Sequence, residues 1–338
     1  MNTGYYSLNS YLKNTFGHKL YKLSLDGGMT CPNRDGTIGT GGCIFCSEGG
    51  SGDFTGKAYL DKHNTDCTET RINKNTALRN VNSKNIVCRI IDCIDIDRQI
   101  EASKKLISSK YNGNNGYIAY FQSYTNTYAD TAYLEQLFTH VCMRDDIRVL
   151  SIATRPDCIS DNTLCLLKRL NQIKPVWIEL GLQTIHESSA AFIRRSYPLS
   201  VFDETVKKLN LAGIKTIVHM IIGLPGESHK MILETADYIG HCNVFGIKLQ
   251  LLHVLKNTDL ADYYYKNQFE TLTLDNYIKC LAEIIELLPP DIVIHRLTGD
   301  GPKKLLIAPE WSANKKKVLN SINKYFSDNN ICQGRNYI

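Results

Sequence analysis

The chain has 338 residues, 43% of them hydrophobic and 22% charged, the composition of a soluble globular protein with room for one large domain or two ordinary ones. No apolar run reaches the ~18 residues that signal a membrane helix, and the opening MNTGYYSLNSYLKNTFG is polar and aromatic, unlike a secretory leader. A net charge of +5 permits a nucleic-acid partner without demanding one, and twelve cysteines without a leader point to a reducing cytosol rather than to disulfides.

In chain order, residues 1–19 read as a short amphipathic helix or arm. YKLSL (Tyr21–Leu25) alternates as a strand and runs straight into a Gly-rich loop holding Cys31, Cys43 and Cys46. Residues 57–92 are polar, rich in Asn and Thr and aperiodic, so they read as an exposed insertion. Helical spacing follows through Ile96, Ile100, Leu106 and Ile107. Strands are then predicted at 116–122, 147–153, 175–183, 215–223, 245–252 and 291–297. Helices are predicted at 131–142, 161–171, 202–212, 231–241 and 274–288. This alternation implies a parallel sheet with right-handed crossovers. Six strands precede Leu255, too few for a closed eight-stranded barrel. The expected fold is therefore α/β, a partial (βα)6 TIM-like barrel with a C-terminal extension. Its divisions are an arm at 1–19, a barrel at 20–255 carrying the polar insertion at 57–92, and an extension at 256–338 packed on the barrel.

In such barrels the site lies at the C-terminal ends of the strands. That rule selects Gln122 and Thr125 to Thr127 after the second strand, and Thr154, Arg155 and Asp157 after the third. It selects Glu179 and Gln183 on the fourth, Gly223 to Glu227 after the fifth, His253 after the sixth and Arg296 on the last. The cysteine loop follows the first strand and opens on the same face. Cys43 and Cys46 have the C-x-x-C spacing that brings two thiolates to one metal centre. Cys31 can fold back to them across Gly36, Gly39, Gly41 and Gly42. A structural zinc wants four closed ligands, and most iron–sulfur clusters also take four. Three thiolates without a fourth suit a cuboidal cluster with one open iron, able to bind a substrate or cosubstrate. The other nine cysteines are scattered and read mostly as small buried hydrophobes.

Together, LDGGMTCPNRDGTIGTGGCIFC, YIAYFQSYTNTYA, SIATRPDC, VWIELGLQTIH, HMIIGLPGES, LLHVLKNT, DIVIHRLTGDGP and LLIAPEWS resemble the radical S-adenosylmethionine (SAM) enzymes. The cysteine spacing is that of the Elongator catalytic-subunit branch, and the ordered stretches are similar to its MnmL/YtqA-like and YhcC-like bacterial family. The resemblance runs from about residue 15 to residue 320. It implies a [4Fe-4S] cluster held by Cys31, Cys43 and Cys46, with SAM on the fourth iron and reductive cleavage of SAM to a 5′-deoxyadenosyl radical. It places Gln122, Ser123, Thr125, Asn126 and Thr127 near the SAM methionine end, with Arg155 beside them. Glu179 is expected to accept from the ribose, Gln183 and Arg195 to meet the carboxylate or ribose, Gly223 and Glu227 to border the adenine, and Arg296 to close the mouth.

By the same resemblance the substrate is tRNA. A 5-carboxymethylaminomethyl group on the wobble uridine would become 5-aminomethyl, ahead of a separate methyltransferase. Hydrogen abstraction from the carboxymethyl carbon beside the amine gives a stabilised radical. A flavodoxin or ferredoxin would supply the electron, in the cytoplasm. Tyr124, Tyr128 and Trp311 with the Lys303–Lys304 and Lys315–Lys317 runs are candidate RNA contacts. The sequence departs from the family in its long 57–92 insertion and in IRRSYPLS, where a histidine is more usual. Too few residues follow Leu297 to build an acetyltransferase domain. Two other classes fit the motifs: a radical SAM enzyme acting on a small molecule or peptide, and a non-catalytic cluster protein. At single residues, the alternative for Glu179 is a structural ion pair at the barrel rim, and His219 reads equally as a satisfied core histidine.

Overall fold

Alternation along the predicted strands sorts their side chains onto two faces. The computed structural model, which describes residues 4–50, 55–56, 79–80, 87–88, 91–108, 116–299 and 301–338, shows where each face goes. Seven strands, β1 (Tyr21–Leu25), β2 (Tyr117–Phe121), β3 (Ile147–Thr154), β4 (Val176–Gln183), β5 (Lys215–Ile222), β6 (Gly246–Leu251) and β7 (Val293–Arg296), pair in parallel in chain order as a curled half-barrel. The last of these, predicted at 291–297 within the C-terminal extension, joins the barrel sheet: β7 lies beside β6 with a register shift between Ile294 and Arg296. The 57–92 insertion lies almost wholly outside the described residues.

The outward faces of the strands, such as Ile178, Leu180 and Leu182 of β4 and Val218, Met220 and Ile222 of β5, build the main core. The helices in chain order are α1 (Leu8–Phe16), α2 (Cys93–Ile107), α3 (Thr131–Met143), α4 (Asp161–Ile173), α5 (Glu187–Phe192), α6 (Leu199–Leu211), α7 (His229–Gly240), α8 (Asp259–Asn267), α9 (Leu274–Leu287) and α10 (Lys315–Asp328). Of these, α2, α3, α4, α6, α7, α9 and α10 cover this face, while α5 and α8 pack in a separate cluster with Ile44 of the cysteine loop. Eight begin on a Ser, Thr, Asp or Asn whose side-chain oxygen accepts an orphan N–H of the first turn, among them Asp130, Ser160, Ser228 and Thr273. The helices α5, α8 and α10 were not among those predicted. α5 has only six residues, α8 is dominated by polar residues and tyrosines, and α10 opens on three lysines, so their periodicity is faint.

The inward face is layered. At the N-terminal end of the barrel, Ile118, Val149, Trp177, Ile217 and Val293 form an apolar plug closed by Tyr11 and Leu12 of α1. The N-terminal segment also shields β7, the last strand: Ile294 N–H donates to the Tyr6 carbonyl at 2.8 Å. Above the plug the inward positions turn polar, and that change of character marks where the core ends and the site begins. Of the scattered cysteines, Cys142 and Cys280 are buried, whereas Cys165 and Cys332 are exposed, so the expectation of buried hydrophobes holds only in part. Cys67 lies outside the described residues.

Candidate functional site

The C-terminal ends of the strands enclose a cavity of about 560 Å³. Cys31, Cys43 and Cys46 line it together with Gln122, Thr125, Arg155, Glu179, Gln183, Arg195 and Arg296. The cysteine loop is fixed by its own backbone. Arg34 N–H closes on the Cys31 carbonyl at 2.8 Å, Cys46 N–H on Cys43 at 3.0 Å and Gly42 N–H on Asn33 at 2.7 Å. Gly42 has φ +73°, and a Cβ there would sit 2.8 Å from Arg34 Nε, so only glycine lets that guanidinium pass. Arg34 then donates to the Cys46 and Ser47 carbonyls at 2.9 and 2.7 Å. Two neighbours clamp the loop from outside: Asn33 Nδ2 donates to the Arg194 carbonyl at 2.7 Å, and Leu260 N–H of α8 donates to Ile44 at 2.8 Å.

None of the three cysteines is in a disulfide. Burial, then the charges of Cys46 and Cys31, push the Cys43 thiol up to about 12, so its ionisation needs a positive group bound beside it. The surroundings are suited to that. Arg34 faces Cys46, and Arg155, paired with Asp157 at 2.7 Å and stacked 5.1 Å from the Tyr197 ring, faces Cys31. Among the described residues, no three Cys, His, Asp or Glu groups converge on a single ion position, whereas a cuboidal cluster needs one thiolate per iron. Close by, Gln183 takes a positive φ of 70° and its Oε1 is buried with no protein partner, an acceptor left facing a cavity occupant. The donor set therefore fits a three-thiolate cluster with a polar cosubstrate beside it.

The floor of the cavity is a polar layer with a residue from each strand. Lys22, Tyr120, Ser151, Glu179, His219, Lys248 and His295 occupy inward positions of β1 to β7. Glu179 is fully buried at its centre. Its Oε1 accepts from Lys22 at 3.0 Å and Ser151 at 2.8 Å, and its Oε2 from His219 at 2.7 Å and from Lys248. Burial alone would raise its pKa, but the Lys22 and Lys248 ammoniums and the His219 bond hold it well below the ordinary carboxyl value. Burial and then the Lys248 charge lower His219 to about 4, against the pull of Glu179, so its ring is neutral at pH 7.

The expected site residues divide accordingly. Glu179 has both oxygens committed to the floor, which is the ion-pair reading rather than the ribose one. Arg195 donates to the Thr184 and Tyr197 carbonyls and to Glu187, so it braces the α5 turn while its edge lines the cavity. Asn126 and Thr127 do not line it. Asn126 Nδ2 ties to the Ala153 carbonyl at 2.9 Å, and Thr127 Oγ1 to Thr154 and to the Cys158 carbonyl at 2.6 and 2.7 Å, locking the β2 loop onto β3. Gly223 and Glu227 border a different, outer pocket beside Leu272, with Glu227 accepting from Thr184 at 2.6 Å. Trp311 is tied inward, donating to the Leu272 carbonyl at 2.9 Å and packing on Tyr277, so it is no free stacking platform. Lys248, Tyr120, Arg34 and Tyr197 line the cavity without having been singled out. A lysine inside the apolar run FGIKLQLL was the legible signal for the first.

Comparison with known proteins agrees with this architecture. Residues 36–239 match the radical SAM superfamily, and residues 244–328 match the radical SAM C-terminal domain. The chain is 40% identical to YtqA of Bacillus subtilis over 98% of its own length and 92% of that protein. It is 30% identical to YhcC of Escherichia coli K12 over 95% and 91% of the two chains. Among solved structures, the archaeal Methanocaldococcus infernus Elp3 lacking residues 1–46 superposes with a TM-score of 0.60 at 16% identity, covering 71% of this chain and 61% of that one.

Proposed function

The chain belongs to the radical SAM superfamily, whose enzymes use a [4Fe-4S] cluster and S-adenosylmethionine, and from that premise we propose that it modifies a wobble uridine of tRNA, converting a 5-carboxymethylaminomethyl group to 5-aminomethyl. When bound, the cluster and SAM supply a 5′-deoxyadenosyl radical on one-electron reduction. The residues proposed to hold the cluster are Cys31, Cys43 and Cys46, with Arg34 and Arg155 balancing the thiolate charge. Gln122, Thr125 and Gln183 are proposed to orient SAM beside it. The apolar plug closes the barrel below the cavity.

The observation that carries this reading is the convergence of three cysteine side chains and an orphaned Gln183 oxygen on one cavity at the C-terminal ends of the strands. RNA as substrate is supported by the Elongator-like cysteine spacing and by charge. Five basic side chains line the cavity against one carboxylate among the described residues, and Lys316, Lys317 and Lys324 of α10 border a shallow surface depression. An electron carrier such as flavodoxin or ferredoxin, and a methyltransferase acting on the amine produced, complete the proposed sequence.

The test is anaerobic reconstitution beside Cys43→Ala, followed by SAM, dithionite and tRNA bearing the carboxymethylaminomethyl group. The expected outcome is 5′-deoxyadenosine together with 5-aminomethyluridine in the tRNA digest, both absent from the variant. 5′-Deoxyadenosine with unchanged tRNA would sink the RNA assignment and leave the radical chemistry standing.

A further inference from the structure

The cavity has two poles of different chemistry. The thiols and their arginines form the upper one, and the β-strand layer around Glu179 forms the lower one. The charges that act on Cys43 come from Cys46, Cys31 and Arg155, whereas those that act on Glu179 come from Lys22, Lys248 and His219. A ligand spanning the cavity would therefore meet two separate recognition sites.

Lys248 is the exceptional group of the lower pole. Its side chain is 3% exposed, lines the cavity, and is held in place by Glu179 and by Tyr120 Oη at 2.9 Å. A lysine amine can point up to three hydrogens outward, and among the described residues these two are its acceptors. Lys22 draws on the same Glu179, so two amines share one carboxylate. Gln250, the next inward position on β6, also lines the cavity, and its amide has no hydrogen-bond partner among the described residues. A buried amine, an underfilled countercharge and an adjacent free amide form an acceptor site for an anion.

We propose that Lys248, positioned by Glu179 and Tyr120 and assisted by Gln250, binds a carboxylate carried by the substrate and so selects substrates with an acidic group at the point of cleavage. The proposal rests on the functional reading above, since it assigns a residue to the carboxymethyl group which that reading has the enzyme remove. Two carboxylates could reach the cavity, that of the substrate and that of SAM, and Lys248 is assigned the first. Its place within β6, level with His219 and bonded to Glu179 rather than on the cysteine loop, is the reason.

The experiment uses two probes without a nucleoside, N-methylglycine and N-methylglycinamide. They present the same group with and without its negative charge. Binding to the reconstituted protein is followed by ligand-detected NMR, with SAM affinity measured in parallel. The expected result is at least tenfold tighter binding of the carboxylate than of the amide. Lys248→Met should erase that preference, Lys248→Arg should keep part of it, and SAM affinity should stay within twofold in both. Equal binding of the two probes by the unmutated protein, or no binding of either at tens of millimolar, would overturn the proposal without recourse to any variant. So would a Lys248→Met protein that keeps the preference, or one that loses SAM instead. Should the variant fail to fold, Gln250→Leu replaces it, with a partial loss of preference expected and none counting against the site. RNA enters neither probe, so a carboxylate preference that depends on Lys248 in a protein leaving tRNA unmodified would retire the RNA reading and retain this one.

Discussion

His219 shows how burial sets the behaviour of a single side chain. It faces Glu179 from β5 with Lys248 beside it, and its pKa lies near 4 rather than at the ordinary 6.5. The folded protein thus excludes a proton that the unfolded chain accepts below about pH 6.5. Stability is unaffected above that pH and is lost as pH falls from about 6.5 towards 4, by about 3 kcal/mol for this residue. His295, buried against Trp177 and Phe245 with its pKa also pressed well down, chiefly by burial, adds loss in the same window. Glu179 is shifted down as well, so its own contribution persists until still lower pH, disappearing as pH falls through its folded value. His219→Gln should therefore flatten the acid limb. In urea unfolding followed through Trp177 fluorescence, the difference in stability between variant and unmutated protein should move in the variant's favour by about 3 kcal/mol between pH 7 and pH 4. A difference independent of pH would mean that His219 is protonated in the fold.

At the scale of an element, the cysteine loop is rigid without being regular. Its ligand candidates are positioned by hydrogen bonds to backbone, and Arg34 supplies two of them from one guanidinium, to Cys46 and Ser47. Arg34→Ala removes both bonds and the positive charge beside Cys46. The fold should survive, because the core lies below the loop, but the cluster should be held more loosely. Iron released to a chelator should appear at least tenfold faster than from the unmutated protein, with the circular dichroism spectrum unchanged. An unaltered release rate would place the restraint in Asn33 and α8 alone.

The same loop shows what the sequence discloses and what it withholds. The cysteines were legible because thiols at C-x-x-C spacing have few other uses, and the strands were legible because alternation reports burial directly. Glu179 was ambiguous in the sequence. Its role is decided by Lys22, Ser151, His219 and Lys248, which come from four other strands at separations of 28 residues or more. Gly223 and Glu227 follow a strand end, as the site rule requires, yet their turn points away from the barrel axis. No local pattern encodes which way a turn will lean.

At the scale of the whole molecule, both ends of the described chain meet on one glutamine. Gln333 is 7% exposed. Its Oε1 accepts from Tyr6 N–H at 2.8 Å, and its Nε2 donates to the carbonyls of Pro289 at 2.6 Å and Ile292 at 2.8 Å. One side chain thus joins the N-terminal segment, the approach to β7 and the C-terminal tail. The segment it holds is the one that shields β7 and delivers α1 to the apolar plug, so the seal beneath the cavity depends on a residue far from it in sequence. Gln333→Ala leaves a backbone N–H and two carbonyls without these partners. At about 1 kcal/mol for each lost bond, and more where water cannot enter, the cost should be about 3 kcal/mol. The loss should also be local before it is global. Hydrogen exchange at the Tyr6, Tyr11 and Ile294 amides should quicken by at least tenfold, while amides at the centre of the sheet, such as that of Leu180, follow only the change in overall stability. Uniform acceleration across the sheet would show instead that the N-terminal seal and the barrel unfold as one unit, with Gln333 contributing to global stability alone.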